Sequence, residues 1–229
     1  AGWPGGMVLG GIMMLIMGTS VDWRFKVALL LIPTLIYGLM LLRCKFPVHE
    51  RVKAGVSYKA MLQEAGILGA AIIILMMTRE VGRVFGWSTM VQAVIVLTLV
   101  VAYGSYVRAL GRPMFIFLML IMIPLAIVEL GTDSWITDLV NPVMSKIGIQ
   151  PLWVLIYTAF IMMLMRFNAG PIVKRFKPLG TLALCSAVAI LGLLFLSKAA
   201  GIMIFVAATF YALGKSFFWP TMLGVVSER

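Results

Sequence analysis

Three ionisable residues within long apolar runs are the first candidates for chemistry in this chain. Glu129 and Asp133 are four residues apart, so a helix would place both carboxylates on one face. Lys215 lies deep in another apolar run. Because a charge inside hydrocarbon is costly, each of these residues is a candidate for substrate binding or coupling.

Aromatic residues surround the lysine at helical spacing. Tyr211, Lys215, Phe218 and Met222 fall on one helix face, which would set the amine among aromatic rings facing a bundle interior. The alternative is a buried lysine neutralised by an acid on another helix. Counting residues from the expected interfaces puts Lys215 about 10 Å below Glu129, so a direct pair between these two is not expected.

Further residues could line the same site. Tyr157 and Trp135 are predicted behind the charged groups, although Tyr157 also fits a core tyrosine whose hydroxyl is satisfied. Trp135 and Asp133 fit equally a membrane interface, where tryptophan and acids are ordinary. Gly131 could let its helix unwind near the carboxylates, and Pro220 predicts a kink that serves as a gate or is merely tolerated.

Composition defines the surroundings of these residues. Hydrophobic residues make up 62% of the chain and charged residues 12%, which excludes the surface of a soluble domain and favours a lipid bilayer. The formal net charge is +11, but the basic residues cluster between apolar runs, as membrane flanks do. Nucleic acid is therefore not expected as a partner.

Apolar runs of about 20 residues predict membrane-spanning helices. Eight runs are candidates: Trp3–Thr19, Trp23–Leu42, Met61–Thr78, Ser88–Val107, Met114–Thr132, Pro151–Met165, Pro178–Ser197 and Gly201–Val226. They lack the period-two alternation of barrel strands, so we predict an all-α, polytopic membrane protein.

The distribution of Lys and Arg indicates orientation. The third run, Met61–Thr78, is short and either crosses or is re-entrant. If it crosses, one side receives twelve Lys and Arg and the other six; if not, the tally is nine against nine. The biased arrangement matches the excess expected in cytoplasmic loops. We therefore predict a multi-pass protein of the cell membrane, with the richer side cytoplasmic.

No pattern of catalytic or metal-binding residues is found. The chain has one histidine, His49, and two cysteines, Cys44 and Cys185, in unrelated positions, so no disulfide, metal site, cofactor or catalytic residue is predicted. Arg79, Glu80 and Arg83 are interpreted as an exposed charge cluster at a helix end.

One basic loop carries a family resemblance. Arg166 to Pro178 joins two runs with Gly170 and the basic residues Arg166, Lys174, Arg175 and Lys177. It resembles the cytoplasmic loop motif of the major facilitator superfamily, Gly-x-x-x-Asp-Arg-x-Gly-Arg, at Gly170 and Arg175, whereas Lys174 stands at the acid position. The strings 129–135 and 214–222 look like the seventh and tenth helices of fucose-permease-like sugar transporters.

The resemblance implies a partial major-facilitator-type fold. Residues 1–42 would end the amino-terminal bundle, 43–60 form a cytoplasmic linker, 61–112 an additional helix pair, and 113–229 four spans of the carboxy-terminal bundle. The first four and last two helices would lie outside this sequence. The implied function is alternating-access transport of a small polar solute, a sugar or an organic acid, with proton coupling as a further expectation.

Two other functions remain open from the residues alone. One is an integral membrane enzyme acting on a lipid-linked substrate, and the other is a non-transporting sensor or assembly protein of the same fold.

Overall fold

The computed structural model describes residues 2–48 and 50–228, and within them the chain is helical, with no strand. His49, expected in the linker, and Arg229, counted on the cytoplasmic side, lie outside the described residues. The α-helices are α1 (Gly2–Met17), α2 (Trp23–Ala28), α3 (Leu31–Leu42), α4 (Glu50–Lys53), α5 (Tyr58–Phe85), α6 (Thr89–Val107), α7 (Pro113–Ala126), α8 (Thr132–Met144), α9 (Leu152–Phe167), α10 (Ala169–Phe176), α11 (Pro178–Lys198), α12 (Met203–Lys215) and α13 (Phe218–Glu228). A π-helical turn, Ile127–Gly131, joins α7 to α8, and a short 3-10 turn, Ser145–Ile147, follows α8.

Five helical stretches in the described chain are long and apolar enough to cross a membrane. They are Trp23–Leu42, Tyr58–Phe85, Thr89–Val107, Pro113–Ile147 and Pro178–Lys198. A sixth would result if α9 and α10, bent by 69° at Asn168, formed one span. The all-helical class and the membrane-type helices are confirmed, and the count of eight crossings stays a prediction.

Several predicted helix ends differ from the structure. The helical stretch that contains the run predicted to end at Thr132 continues to Ile147 and is 35 residues long, and its carboxylates Glu129 and Asp133 are buried in packed protein. Glu129 and Asp133 therefore lie near the middle of this stretch. The short third run belongs to the helical stretch Tyr58–Phe85, which is interrupted at Gly66. Whether this stretch crosses the membrane stays a prediction.

The chain divides into two compact units. The larger unit contains Ala1–Cys44 and Ile123–Arg229, and the smaller contains Lys45–Met122. In the larger unit, a core of side chains from α8, α9 and α12 is buried: Ile136, Val140, Met144, Val154, Ile204 and Ala208. The helices α2 and α3, by contrast, have no buried side chain.

Glycines let helices of the larger unit approach closely. A Cβ at Gly192 of α11 would lie 2.3 Å from the backbone nitrogen of Tyr211, and one at Gly214 of α12 would lie 2.3 Å from that of Ala189. In the same way, α1 meets α9 where Gly11 contacts Ile156. Small residues at helix crossings are typical of packing in membranes, where close van der Waals contact drives association.

The smaller unit contains a broken helix. Gly66 in α5 has φ +57° and lies against the backbone of Gly111. The break is satisfied by the loop before α7: the Ile67 amide donates to the Ala109 carbonyl at 2.9 Å, and the Arg112 amide to the Glu64 carbonyl at 2.8 Å. Such a break is tolerated in lipid only where other protein groups complete the hydrogen bonds.

We expect Gly192→Ala to lower the free energy of unfolding by about 1–3 kcal/mol, because the added methyl group pushes α11 away from α12. Thermal unfolding in a mild detergent measures the effect. Gly180→Ala is the matched control, since it adds the same group to α11 where nothing lies within 4 Å. Equal unfolding temperatures for the two variants would contradict the close approach.

Candidate functional site

The candidate site is an ionic network in the interior of the larger unit. Glu129 lies in the π-helical turn and Asp133 in the first turn of α8, and their residues are 1% and 7% exposed. A π-turn adds a residue to one helical turn and is frequent at functional sites. Here the turn presents both carboxylates to the packed interior of the unit.

Glu129 is paired with an arginine from α9. The Arg166 guanidinium donates from Nη2 to Glu129 Oε1 at 2.7 Å. Its side chain is 10% exposed, and it packs with Cζ 5.7 Å from the ring centre of Trp3 in α1. Arg166 was predicted as the first residue of the basic cytoplasmic loop. It lies in the last turn of α9, and its side chain faces inward.

Asp133 is paired with the lysine of α12. Lys215 Nζ donates to Asp133 Oδ1, and Lys215 is 0% exposed. The ammonium also lies 4.9 Å from the ring centre of Tyr211, whose hydroxyl donates to the Val128 carbonyl in the π-turn. Neutralisation of Lys215 by an acid on another helix was one of the two alternatives open from the sequence, and the structure shows this arrangement.

A helix break supplies a further acceptor. Ser216 and Phe217 separate α12 from α13, and Pro220 has no backbone N–H to donate to the Ser216 carbonyl four residues earlier. Arg166 Nε donates to that carbonyl instead, at 2.8 Å. The predicted break near Pro220 is therefore part of the site, because it frees the oxygen that orients the arginine.

The two ion pairs act on each other. Lys215 attracts Glu129 across the network, and Arg166 attracts Asp133. The second oxygen of each carboxylate, Glu129 Oε2 and Asp133 Oδ2, is buried and has no hydrogen-bond partner among the described residues. Buried polar atoms are rarely left without a partner, so we expect a proton or an ordered water at these oxygens.

None of the protein families, known proteins or solved structures compared with this chain matches it. The resemblance to the major facilitator superfamily therefore remains an expectation based on three strings of residues.

The other predicted site residues lie elsewhere. The Tyr157 hydroxyl is 2.7 Å from Thr209 Oγ1, and its ring packs edge-on against Phe205, as expected for a satisfied core tyrosine. Trp135 is 64% exposed and is not brought into the network. Tyr211, in contrast, is buried beside Lys215 as its helical spacing predicted.

The basic loop is partly helical. Gly170, Lys174 and Arg175 lie in α10, and they form no part of the buried network. Arg166 was predicted as a residue of the loop motif and not as a partner of the buried carboxylates. The sequence did contain a signal for this position. Ala159, Met162 and Arg166 are spaced so that they share one face of a helix, and the first two are buried in the structure.

Metal binding finds no support in the described chain. Within residues 2–48 and 50–228, no group of three or more His, Cys, Asp or Glu side chains could hold a metal ion. Cys44 and Cys185 are both free.

We expect Lys215→Met to destabilise the fold by about 3–5 kcal/mol, because it leaves the buried Asp133 carboxylate without its cation. The double variant Asp133→Leu/Lys215→Met removes both charges and is expected to unfold close to the wild type. Thermal unfolding of the wild type, both single variants and the double variant gives the coupling energy. Additive effects of the two single changes would show that the pair is not coupled.

Proposed function

We propose that this chain belongs to a secondary transporter that moves a small polar solute, a sugar or an organic acid, across the cell membrane by alternating access. The observation that carries the proposal is the buried network of Arg166, Glu129, Lys215 and Asp133 in a chain built from membrane-length helices.

The energetics of the network favour function over stability. Taking four charges out of water costs more than their pairing returns in most buried salt bridges, and apolar replacements are often as stable. Intramembrane charges are therefore expected mainly where a solute, an ion or a proton must be handled. The two carboxylates and two cations balance, so the network holds no net charge when all four are ionised.

Broken helices support the same function. The π-turn at Ile127–Gly131 and the break between α12 and α13 both lie at the network. Transporters commonly build midplane sites from interrupted helices, because the freed backbone groups bind solutes and because a break allows one part of a helix to move. The site thus combines polar groups with two places where the helices can bend.

Proton coupling follows from the unpartnered oxygens. A proton taken up by Glu129 or Asp133 would weaken its ion pair and release the cation opposite. We propose that this exchange links solute binding to proton movement. Glu129, Asp133 and Lys215 are the proposed binding and coupling residues, and Arg166 joins them on the geometry of the site.

The finer architecture is proposed with the function. It comprises eight crossings in a partial major-facilitator-type fold, the segments 1–42, 43–60, 61–112 and 113–229, and a cytoplasmic side marked by Lys174 and Arg175. A membrane enzyme acting on a lipid-linked substrate is the alternative, but the buried groups form ion pairs and offer no nucleophile with an adjacent base.

Transport by the reconstituted full-length protein that contains this chain tests the proposal. Proteoliposomes containing a pH-sensitive dye are given L-fucose or L-lactate, representing the two solute classes, with and without an imposed proton gradient. We expect accumulation driven by the gradient and solute-dependent proton entry. The double variant Asp133→Leu/Lys215→Met is expected to lose both signals while it remains folded.

The matched control is Asp138→Asn. Asp138 is an exposed carboxylate on the same helix as Asp133, so its change should leave transport intact. Transport by the double variant at the wild-type rate would contradict the site. Absence of any movement across a wider panel of sugars and organic acids would contradict the function.

Orientation is tested by labelling. In a chain with Cys44→Ser, a cysteine introduced by Lys174→Cys is expected to react with a membrane-impermeant maleimide only after cells are opened. Lys198 lies in the last turn of α11, at the end of that helix away from Lys174, so Lys198→Cys should react in intact cells. The reverse pattern would overturn the predicted cytoplasmic side.

A further inference from the structure

A groove runs along the two long helices of the smaller unit. It has a volume of about 1260 Å³ and is open along one side. Apolar side chains of α5 and α6 line most of its length, and charged side chains lie at one end. The lining residues used below are Ala71, Leu75, Ala93 and Val96 in the apolar part and Arg79 and Arg83 at the charged end.

The packing of α5 against α6 leaves the groove open. The two helices approach closely near both ends, where Gly82 meets Gln92 and Gly104 meets Ile67. A Cβ at Gly82 would lie 2.6 Å from the Gln92 side chain. Between these two contacts, the small side chain of Ala93 leaves a space beside the helices. The larger side chains next to Ala93 do not fill this space.

The charged end of the groove carries one excess positive charge. Arg83 is paired with Glu80 at 2.5 Å. Arg79 is exposed, and no ion pair to it is found in the described chain. Trp87 lines the groove just beyond these charges, as tryptophan does at the level of lipid headgroups.

The dimensions and charges fit one kind of occupant. From Ala71 to Arg79 the apolar wall of the groove follows eight residues of α5, or about 12 Å, which is close to the roughly 15 Å of one leaflet's hydrocarbon. An acyl chain would lie against the apolar wall while a phosphate reached Arg79 and Arg83. Basic pockets between transmembrane helices are known to hold anionic headgroups.

We propose that this groove binds one anionic phospholipid, with its phosphate at Arg79 and Arg83 and an acyl chain along Leu75, Ala93 and Val96. The proposal requires only that the chain is embedded in a bilayer, so it stands independently of the transport function. The lipid would fill the open side of the α5–α6 pair and stabilise that pair.

Native mass spectrometry of the full chain tests the proposal. The protein in mild detergent is titrated with dioleoylphosphatidylglycerol or dioleoylphosphatidylcholine, and the bound lipids are counted. We expect one phosphatidylglycerol to be retained in preference to phosphatidylcholine. Each arginine near the headgroup is expected to raise the affinity for phosphatidylglycerol roughly fivefold. The double variant Arg79→Gln/Arg83→Gln should therefore weaken phosphatidylglycerol binding about 25-fold.

Two variants separate the groove from general attraction to basic residues. Ala93→Phe fills the apolar part and should abolish binding of the retained lipid with both arginines in place. Val94→Phe adds the same ring to an exposed neighbour outside the groove lining and should have no effect. Lys198→Gln removes an exposed cation elsewhere and should also leave binding unchanged.

Equal retention of the two lipids by the wild type would overturn the proposal. So would unchanged phosphatidylglycerol binding in Ala93→Phe, with helicity by circular dichroism matching the wild type. A dimer of the chain that Ala93→Phe dissociates would show that a second copy fills the groove instead.

Discussion

Hydrocarbon cannot solvate a charge, and this constraint organises the larger unit. Arg166, Glu129, Lys215 and Asp133 come from three helical stretches that are distant in sequence, and each ion must find its partner within the protein. The two ion pairs fix the rotation and relative height of α8, α9 and α12 more tightly than apolar packing would. Apolar side chains of similar volume remain packed after a small shift of a helix, whereas an ion pair is broken by the same shift. The apolar core around Ile136 then fills the space that these pairs define.

The helix breaks and the charges complete each other's hydrogen bonds. Pro220 leaves the Ser216 carbonyl without a backbone donor, and Arg166 supplies the donor while its other nitrogen holds Glu129. Tyr211 similarly donates to the π-turn through the Val128 carbonyl and faces Lys215 with its ring. A change in either break would therefore alter the charges directly.

The helices were predictable because the length of an apolar run is a local property of the sequence. The pairing of charges was not, because it depends on residues far apart in the chain. The runs of apolar residues revealed the helices, and single ions within those runs revealed Glu129, Asp133 and Lys215. The helix that contains Thr132 continues to Ile147, and the burial of Glu129 and Asp133 on it depends on neighbours far along the chain. Arg166 was assigned to the loop because it precedes Lys174 and Arg175. Its surroundings include the Ser216 carbonyl, fifty residues later in the break between α12 and α13.

The smaller unit shows that a broken helix alone does not make such a site. At Gly66 the freed backbone groups of α5 are satisfied by the loop that contains Leu110 and Gly111. The nearby Glu64 pairs with Arg51 and Arg112, but its side chain is 27% exposed, against 1% for Glu129. Water or headgroups can reach Glu64, so its charge costs little and demands no special partner. The difference between the two units is therefore burial. Among the described ion pairs, those of the larger unit are the ones in which loss of one partner leaves a charge that the surroundings cannot solvate.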